Sequence, residues 1–154
     1  MPEIAEVASA KTVATVDVSY LQTLMGYNAR RVSLQAIELF NQRMATYDLS
    51  PVDFSVLSLV KHNPGITSRQ LCSTLSLLPP NLVGKISLME KRDLLKRKPH
   101  PDDGRATGLH LTTAGSRMIQ PAEDTATQLE IDVSSKLTAA ETKTLLQQLQ
   151  KAYF

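Results

Sequence analysis

The sequence has little of what several classes of protein require. It contains one cysteine, Cys72, so no disulfide can form within the chain, and we expect a reducing compartment, the cytoplasm. There is no tryptophan, aromatic residues make up only 5% of the chain, and no hydrophobic run approaches the length of a membrane span. The core must therefore be built from Leu, Ile, Val, Met and Ala, which favours packed helices over a β-sandwich.

Motifs for catalysis and metal binding are also missing from the sequence. The three histidines, His62, His100 and His110, are far apart, and no pair of His, Cys or Asp has the spacing of metal ligands. There is no glycine-rich phosphate loop and no nucleophile motif with a recognisable base. We therefore expect no metal site, no cofactor and no enzymatic activity.

Positive charge is concentrated in the middle of the chain, although the net charge is only +2. Residues 85–105 contain seven bases and four acids, whereas the first seventeen residues hold three acids and one base. Such a local excess is typical of a nucleic-acid surface, with a solvated basic face as the alternative. The candidate phosphate contacts are Lys85, Lys91, Arg92, Arg97 and Lys98.

The chain begins with an arm and a long helix. Residues 1–17 start acidic and carry no signal-peptide pattern, so we interpret them as a flexible arm. From Val18 to Tyr47 there is no proline, and apolar residues recur every three or four positions, which predicts one long amphipathic helix. A helix this long cannot bury its apolar face against a small lobe alone, so we expect it to face another subunit.

Three short helices are predicted after the long one. Each has a start signal, either an N-capping side chain or prolines in the first turn, where the backbone N–H groups have no helical partner. The predicted starts are Ser50-Pro51, Thr67 or Ser68, and Pro79-Pro80. In the third of these helices Leu82, Ile86 and Met89 form a stripe that should be buried.

A β-hairpin and two helices complete the chain. Residues 94–98 and 107–111 read as paired strands joined by a turn. The next helix is capped by Thr112 or Thr113, and we expect Pro121 to interrupt or kink it. The last helix starts with a capping-box pattern, Thr138 to Glu141.

This order of elements indicates a mainly α fold with a small β-hairpin. Residues 48–112 form a winged helix-turn-helix lobe in this interpretation, and residues 18–47 with 113–154 form a helical dimerisation region. The helix that begins at Pro79 has the length and position to enter a major groove of double-stranded DNA. The basic hairpin would then flank the phosphate backbone.

The hairpin carries a more specific pattern, an Asp-x-Arg-Ala core followed by alternating leucines and then Leu-Thr-x-x-Gly. The residues that form it are Asp103, Arg105, Ala106, Leu109, Leu111, Thr112 and Gly115. In this the chain resembles the MarR (multiple-antibiotic-resistance regulator) family of winged helix-turn-helix transcription regulators. Similar segments precede it at residues 49–60, 63–67 and 89–95, and the resemblance covers about residues 20–152.

The resemblance implies a homodimeric regulator, expected to be a repressor, whose first and last helices interleave and which binds a palindromic operator. It also implies that a small molecule or an oxidant often changes the DNA affinity. Arg105 would enter the minor groove, oriented by Asp103. On the first helix Tyr27 and Arg31, one turn apart, are candidates to hold an aromatic or anionic effector, with interface packing as the alternative role.

Two departures from the family pattern affect DNA recognition. Asp93 stands where the family often has a glycine in a left-handed turn, and Val83 and Gly84 stand where it usually offers hydrogen-bonding side chains. Asn81 can pair with adenine, while Pro80 and Val83 can touch thymine methyl groups, which favours an operator rich in A·T pairs. The candidate DNA-binding residues are Ser68, Pro79, Pro80, Asn81, Val83, Gly84, Lys85, Ser87, Lys91, Arg97, Lys98, Asp103 and Arg105.

Two alternatives to a DNA-binding regulator remain open from the sequence. A winged-helix lobe can bind protein, with its basic hairpin against an acidic partner. The chain could also be a redox or small-molecule sensor centred on Cys72. Cys72 lies on an apolar helical face with only Arg69 as a nearby cation in sequence, which favours a buried and unreactive thiol.

Overall fold

The computed structural model describes residues 15–99 and 107–153. The arm before Thr15 and the hairpin tip with Asp103 and Arg105 lie outside the described residues. The fold is mostly helical with one small antiparallel sheet, which confirms the predicted fold class. The helices are α1 (Ser19–Gln22), α2 (Met25–Met44), α3 (Pro51–His62), α4 (Ser68–Leu75), α5 (Pro79–Lys91), α6 (Thr113–Val133) and α7 (Ala139–Tyr153), and the strands are β1 (Ile66–Thr67), β2 (Leu95–Pro99) and β3 (Thr107–Leu111).

Side-chain caps begin the helices where the sequence predicted them. The Ser50 hydroxyl accepts a hydrogen bond from the Asp53 N–H at 3.3 Å, and the Asp53 carboxylate accepts one from the Ser50 N–H at 3.1 Å. This reciprocal pair is a capping box, which satisfies backbone donors that a helix start leaves unpaired. The other confirmed caps are Thr67 for α4, Thr112 for α6 and Thr138 for α7.

The single helix predicted from Val18 to Tyr47 is wrong, because the chain breaks between α1 and α2. The side-chain amide of Asn28 donates hydrogen bonds of 2.8 Å to the carbonyl oxygens of Gln22 and Leu24. Leu24 itself is extended, with φ −92° and ψ 124°. A side chain that bonds nearby carbonyls competes with the helical ladder, and the Asn28 amide bonds the carbonyls where α1 ends.

The sheet has a third strand that the sequence did not reveal. The strand order is β1-β3-β2, and both pairings are antiparallel. β1 is only two residues long, too short to show a period of two, and Ile66 pairs with Leu109. A Cβ atom on Gly108 would lie 2.7 Å from the Gly65 carbonyl oxygen, so glycine is required where β3 passes this loop.

Pro121 does not interrupt α6, so the predicted interruption is wrong, while the alternative of a kink stays a prediction. The helix runs through it for 21 residues. Its buried residues on either side of the proline, Ile119 and Ala122, belong to the hydrophobic core, and α6 packs against both α2 and α3. These tertiary contacts hold the helix together despite the missing N–H of the proline.

The core joins the lobe to the end of α2 and the first half of α6, whereas the two ends of the chain expose apolar side chains. Core residues from α3, α5 and α6, such as Leu57, Ile86 and Ile119, are fully buried. By contrast, none of the residues of α7, Ala139–Tyr153, is buried. Within residues 15–99 and 107–153, no helix is both long enough and apolar enough to cross a membrane.

Hydrogen bonds from Thr112 connect the base of the hairpin to the start of α6. Asp93 takes the left-handed conformation that the sequence pattern anticipated, with φ +55°. The Thr112 hydroxyl donates to the Asp93 carbonyl, and the Thr112 N–H donates to the Leu94 carbonyl at 3.1 Å. A Cβ on Gly115 would lie only 2.1 Å from the Leu94 carbonyl oxygen. The first turn of α6 is therefore fixed against the first residues of the wing.

Candidate nucleic-acid interface

Helix α5 is anchored by one side and presents the other to solvent. Its buried stripe, Leu82, Ile86 and Met89, belongs to the hydrophobic core, as the sequence predicted. The start of the helix follows from Pro79 and Pro80, which occupy positions where helical N–H groups have no partner. The surface that remains outside is the candidate groove-facing surface.

Most of the predicted contacts on α5 share this open surface. Val83 is 53% exposed and Leu88, which the sequence reading did not single out, is 60% exposed. Ser87 is half-buried, and Ser68 is a half-buried residue at the start of α4. The exposed members of the predicted set on this helix are Pro79, Pro80, Asn81, Val83, Gly84 and Lys91.

Lys85 differs from the other bases, because the structure gives it partners within the chain. Its Nζ donates to Asp53 Oδ1 at 2.8 Å and to Ser50 Oγ at 3.3 Å. Burial alone would raise the pKa of Asp53, but the hydrogen bonds from Lys85 and Ser50 outweigh it and lower that pKa. The ion pair links α5 to the capping box of α3. No signal in the sequence indicates this partnership, since the residues are 32 positions apart.

The basic strand β2 presents its lysines on one face. Lys96 and Lys98 are exposed and alternate with Arg97, whose guanidinium pairs with Glu90 of α5 through an Nε–Oε1 distance of 2.8 Å. The pKa of His110, opposite Lys96 on β3, is lowered first by burial and then by the charges of Lys98 and Lys96. The two lysines therefore create a local positive potential. Lys96 was not among the predicted contacts.

Arg92, a candidate phosphate contact, has hydrogen-bond partners within the chain. The Arg92 guanidinium donates to the backbone carbonyls of Asp48 at 2.7 Å and Tyr47 at 3.0 Å, so it holds the segment that leads into α3.

Cys72 is half-buried and packs against the core cluster. Cys72 therefore packs against the core without being fully buried, and its predicted lack of reactivity stays a prediction.

An exposed helix face beside a basic strand, on a lobe with this connectivity, is the arrangement of a winged helix-turn-helix. A sequence profile described as the MarR family matches residues 47–106. The solved structure of the transcriptional repressor CouR bound to a 23-mer DNA duplex is 31% identical in sequence. The match covers 92% of this chain and 100% of that one, with a TM-score of 0.84. This chain belongs to the MarR family.

Other MarR-family comparisons agree with this assignment. CouR bound to p-coumaroyl-CoA is 30% identical, over 90% of this chain and 97% of that one, with a TM-score of 0.76. A protein of Thauera aromatica, named as a candidate transcriptional regulatory protein for the hcr operon, is 25% identical over 130 residues. That match covers 84% of this chain and 78% of the relative. The relatives are regulators of transcription.

A pocket of about 250 Å³ lies between α2, α3 and α6 of this MarR-family chain. Phe40 and Phe54 line it as an edge-to-face pair with ring centroids 5.6 Å apart. Its lining among the described residues includes neither Tyr27, which is half-buried on α2, nor Arg31, which is exposed. The sequence reading missed the two phenylalanines, because their apolar spacing looks like ordinary core. The effector role of Tyr27 and Arg31 stays a prediction.

Proposed function

We propose that this protein is a transcription repressor that binds a palindromic operator as a homodimer and is released by a small-molecule effector. The observation that carries this proposal is the open surface of α5 beside the exposed lysines of β2. In such a lobe the helix reads base edges in the major groove and the wing follows the phosphate backbone. The role is one of binding, with no chemical reaction.

The exposed apolar residues at both ends of the chain support the dimer. On α7, Leu145, Leu146 and Leu149 are between 37% and 52% exposed. Near the N-terminus Tyr20 and Met25 are 74% and 68% exposed. A soluble chain rarely leaves so many large apolar side chains in water, and a second copy is the partner that the family membership favours.

Some of the DNA contacts that we propose position the protein on the phosphate backbone, and others recognise the bases. On α5, Asn81 and Val83 would contact base edges and Lys91 a phosphate. Lys96 and Lys98 of β2 would contact the backbone beside the groove. Asp103 and Arg105, which lie outside the described residues, keep the minor-groove role implied by the family pattern. The remaining proposed contacts are Ser68, Pro79, Pro80, Gly84, Ser87 and Arg97, whereas Lys85, which pairs with Asp53, is proposed to position α5.

The pocket between α2, α3 and α6 supports an aromatic effector. Phe40 and Phe54 supply ring faces and edges for an aromatic group. CouR, which is similar to this chain, has been solved with p-coumaroyl-CoA bound. We therefore infer an aromatic acid or its coenzyme A thioester as the effector class. Tyr27 and Arg31 are candidates to hold the anionic part of such a ligand.

Release would follow from a change in the spacing of the two groove helices. In a dimer that matches successive major grooves, these helices lie about 34–36 Å apart. An effector that binds more tightly to a dimer with another spacing shifts the population away from the DNA-binding form. The pocket is placed for this, because α2 belongs to the proposed dimerisation region and α3 to the lobe.

Fluorescence anisotropy tests the proposal. A duplex selected from a randomised library by the wild-type protein is compared with a scrambled duplex at two salt concentrations, with and without p-coumaroyl-CoA. The expected result is selective binding that salt weakens and the ligand reverses. Equal, weak binding to both duplexes, with no sequence recovered from the library, would contradict DNA recognition and favour the protein-binding alternative.

A further inference from the structure

Gly84 lies at the centre of the open surface of α5. At 100° per residue, the buried positions Leu82, Ile86 and Met89 cluster on one side of the helix, and position 84 falls almost directly opposite them. Lys91, two turns later, lies on the same line. The residue with no side chain is therefore the one that points farthest from the core.

Nothing in the described chain explains a glycine at this position. Apart from its two chain neighbours and the backbone of its own helix, a Cβ atom on Gly84 would meet no described atom within 4 Å, and its φ is not positive. Gly115 differs, because its Cβ would overlap the Leu94 carbonyl oxygen at 2.1 Å. Glycine is the poorest helix former apart from proline, so an interior glycine without an internal contact weakens α5.

The exposed side chains around Gly84 are mostly apolar, and Asn81 is the hydrogen-bonding side chain among them. Val83 is 53% exposed, Leu88 is 60% exposed, and Pro80 lies one turn earlier on the same surface. Such groups gain little from phosphates or from hydrogen-bonding base edges. They match the methyl group of thymine, which is the apolar feature of the major groove, but only at van der Waals distance.

We propose that Gly84 is the point of closest approach between α5 and the operator, and that it determines sequence selectivity. The missing side chain lets the helix backbone descend to the base edges and brings Val83 and Pro80 against thymine methyl groups. This inference rests on the proposed DNA-binding function and adds how α5 recognises the base sequence of the operator. A larger residue at position 84 would hold the helix away from the groove floor.

The test is Gly84→Ala, with Ser73→Ala as the control. Ser73 is an exposed position of α4 where alanine also favours the helix, and it belongs to neither the proposed DNA contacts nor the proposed dimer surface. We expect Gly84→Ala to raise the melting temperature by about 2–4 °C, because alanine favours the helix. We also expect it to weaken binding to the selected operator by about tenfold or more, as for loss of one important contact. Binding to a scrambled duplex should be unchanged.

The outcomes separate the inference from the function on which it rests. If wild-type protein selects an operator and Gly84→Ala binds it as tightly, the inference fails and the DNA-binding function stands. If Ser73→Ala weakens the operator complex as much as Gly84→Ala does, the loss is not specific to position 84 and the inference fails. If wild-type protein selects no duplex, both fail. A larger loss of operator affinity for Gly84→Leu, with no remaining preference over the scrambled duplex, would support the steric explanation.

Discussion

The Nζ atom of Lys85 lies 2.8 Å from Oδ1 of Asp53, and the other oxygen of the same carboxylate accepts from the Ser50 backbone. One carboxylate thus closes the capping box of α3 and holds the middle of α5. Both partners are only partly exposed, 32% for the Lys85 side chain and 20% for Asp53. Lys85 is therefore placed to fix the angle of α5 as well as to add charge.

Lys85→Met separates these two roles. We expect weaker operator binding with almost no change in the slope of log K against log salt concentration, because a base already paired within the chain releases few ions on binding DNA. Lys98→Met, at an exposed base of β2, should reduce that slope by about one. Anisotropy titrations at several salt concentrations give both slopes, and circular dichroism checks that the variants fold.

If Lys85→Met reduces the slope as much as Lys98→Met does, Lys85 contacts phosphate directly. Asp53→Asn is the complementary variant. It should weaken operator binding in the same way, and the double variant should cost little more than either single change, as expected for residues that act as a pair.

Arg105→Ala tests the tip of the wing. If the guanidinium enters the minor groove, the specific complex should lose about 1–3 kcal/mol, with a smaller loss on a scrambled duplex. The measurement is the dissociation constant for both duplexes at matched salt. Arg117→Ala, an exposed arginine near the start of α6, is the control. An unchanged constant for Arg105→Ala would remove this residue from the interface.

Glu123 ties α6 to the end of α3. Its carboxylate accepts hydrogen bonds from Lys61 Nζ at 2.5 Å and Ser58 Oγ at 2.8 Å, with His62 Nε2 at 3.0 Å. Burial alone would raise the pKa of Glu123, but these partners outweigh it and lower the pKa below 4.5. A lowered folded-state pKa means stability that is present above the ordinary value and lost as the pH falls through the folded-state pKa.

Glu123→Gln should therefore lower the free energy of unfolding at neutral pH by about 1–2 kcal/mol. The difference from wild type should shrink as the pH falls below the ordinary glutamate range and through the lower folded-state pKa, where the wild-type carboxyl also becomes neutral. Urea unfolding followed by circular dichroism at several pH values gives both curves. Asp124→Asn, at the adjacent exposed position, should change little. A difference that is constant with pH would contradict the ionic role.

Leu146→Glu tests the dimer surface of α7. Leu146 is 52% exposed, so the charge costs little within one chain, but it would be buried against a second copy. We expect sedimentation to show a shift from dimer to monomer, and operator affinity to fall by orders of magnitude, because both half-sites must be bound together. Gln147→Glu adds the same charge at the next position as a control. A wild-type protein that sediments as a monomer would contradict the proposed assembly.

The parts of the fold that could be predicted depend on neighbours in sequence. Ser50 and Thr112 bond to backbone groups three residues ahead, so a short window identifies them as caps. The ion pair of Lys85 with Asp53 and the ring contact of Phe40 with Phe54 join separate elements, and spacing gives no sign of either. The break before α2 was missed because apolar periodicity continues through it. The hydrogen bonds of the Asn28 amide to the Gln22 and Leu24 carbonyls at this break leave no mark in that periodicity.

The length of α6 has a mechanical consequence. Its first turn is fixed to the base of the wing through Thr112, its middle is held to α3 by Glu123, and Asp132 near its end pairs with Arg43 of α2. A continuous helix of 21 residues is about 30 Å long, and its contact with α3 at Glu123 braces it beside Pro121, where the backbone lacks an N–H donor. It can therefore act as a lever whose fulcrum lies on α3. A small displacement of the end of α6 that contacts α2, where the aromatic pocket lies, would then rotate the wing at the other end.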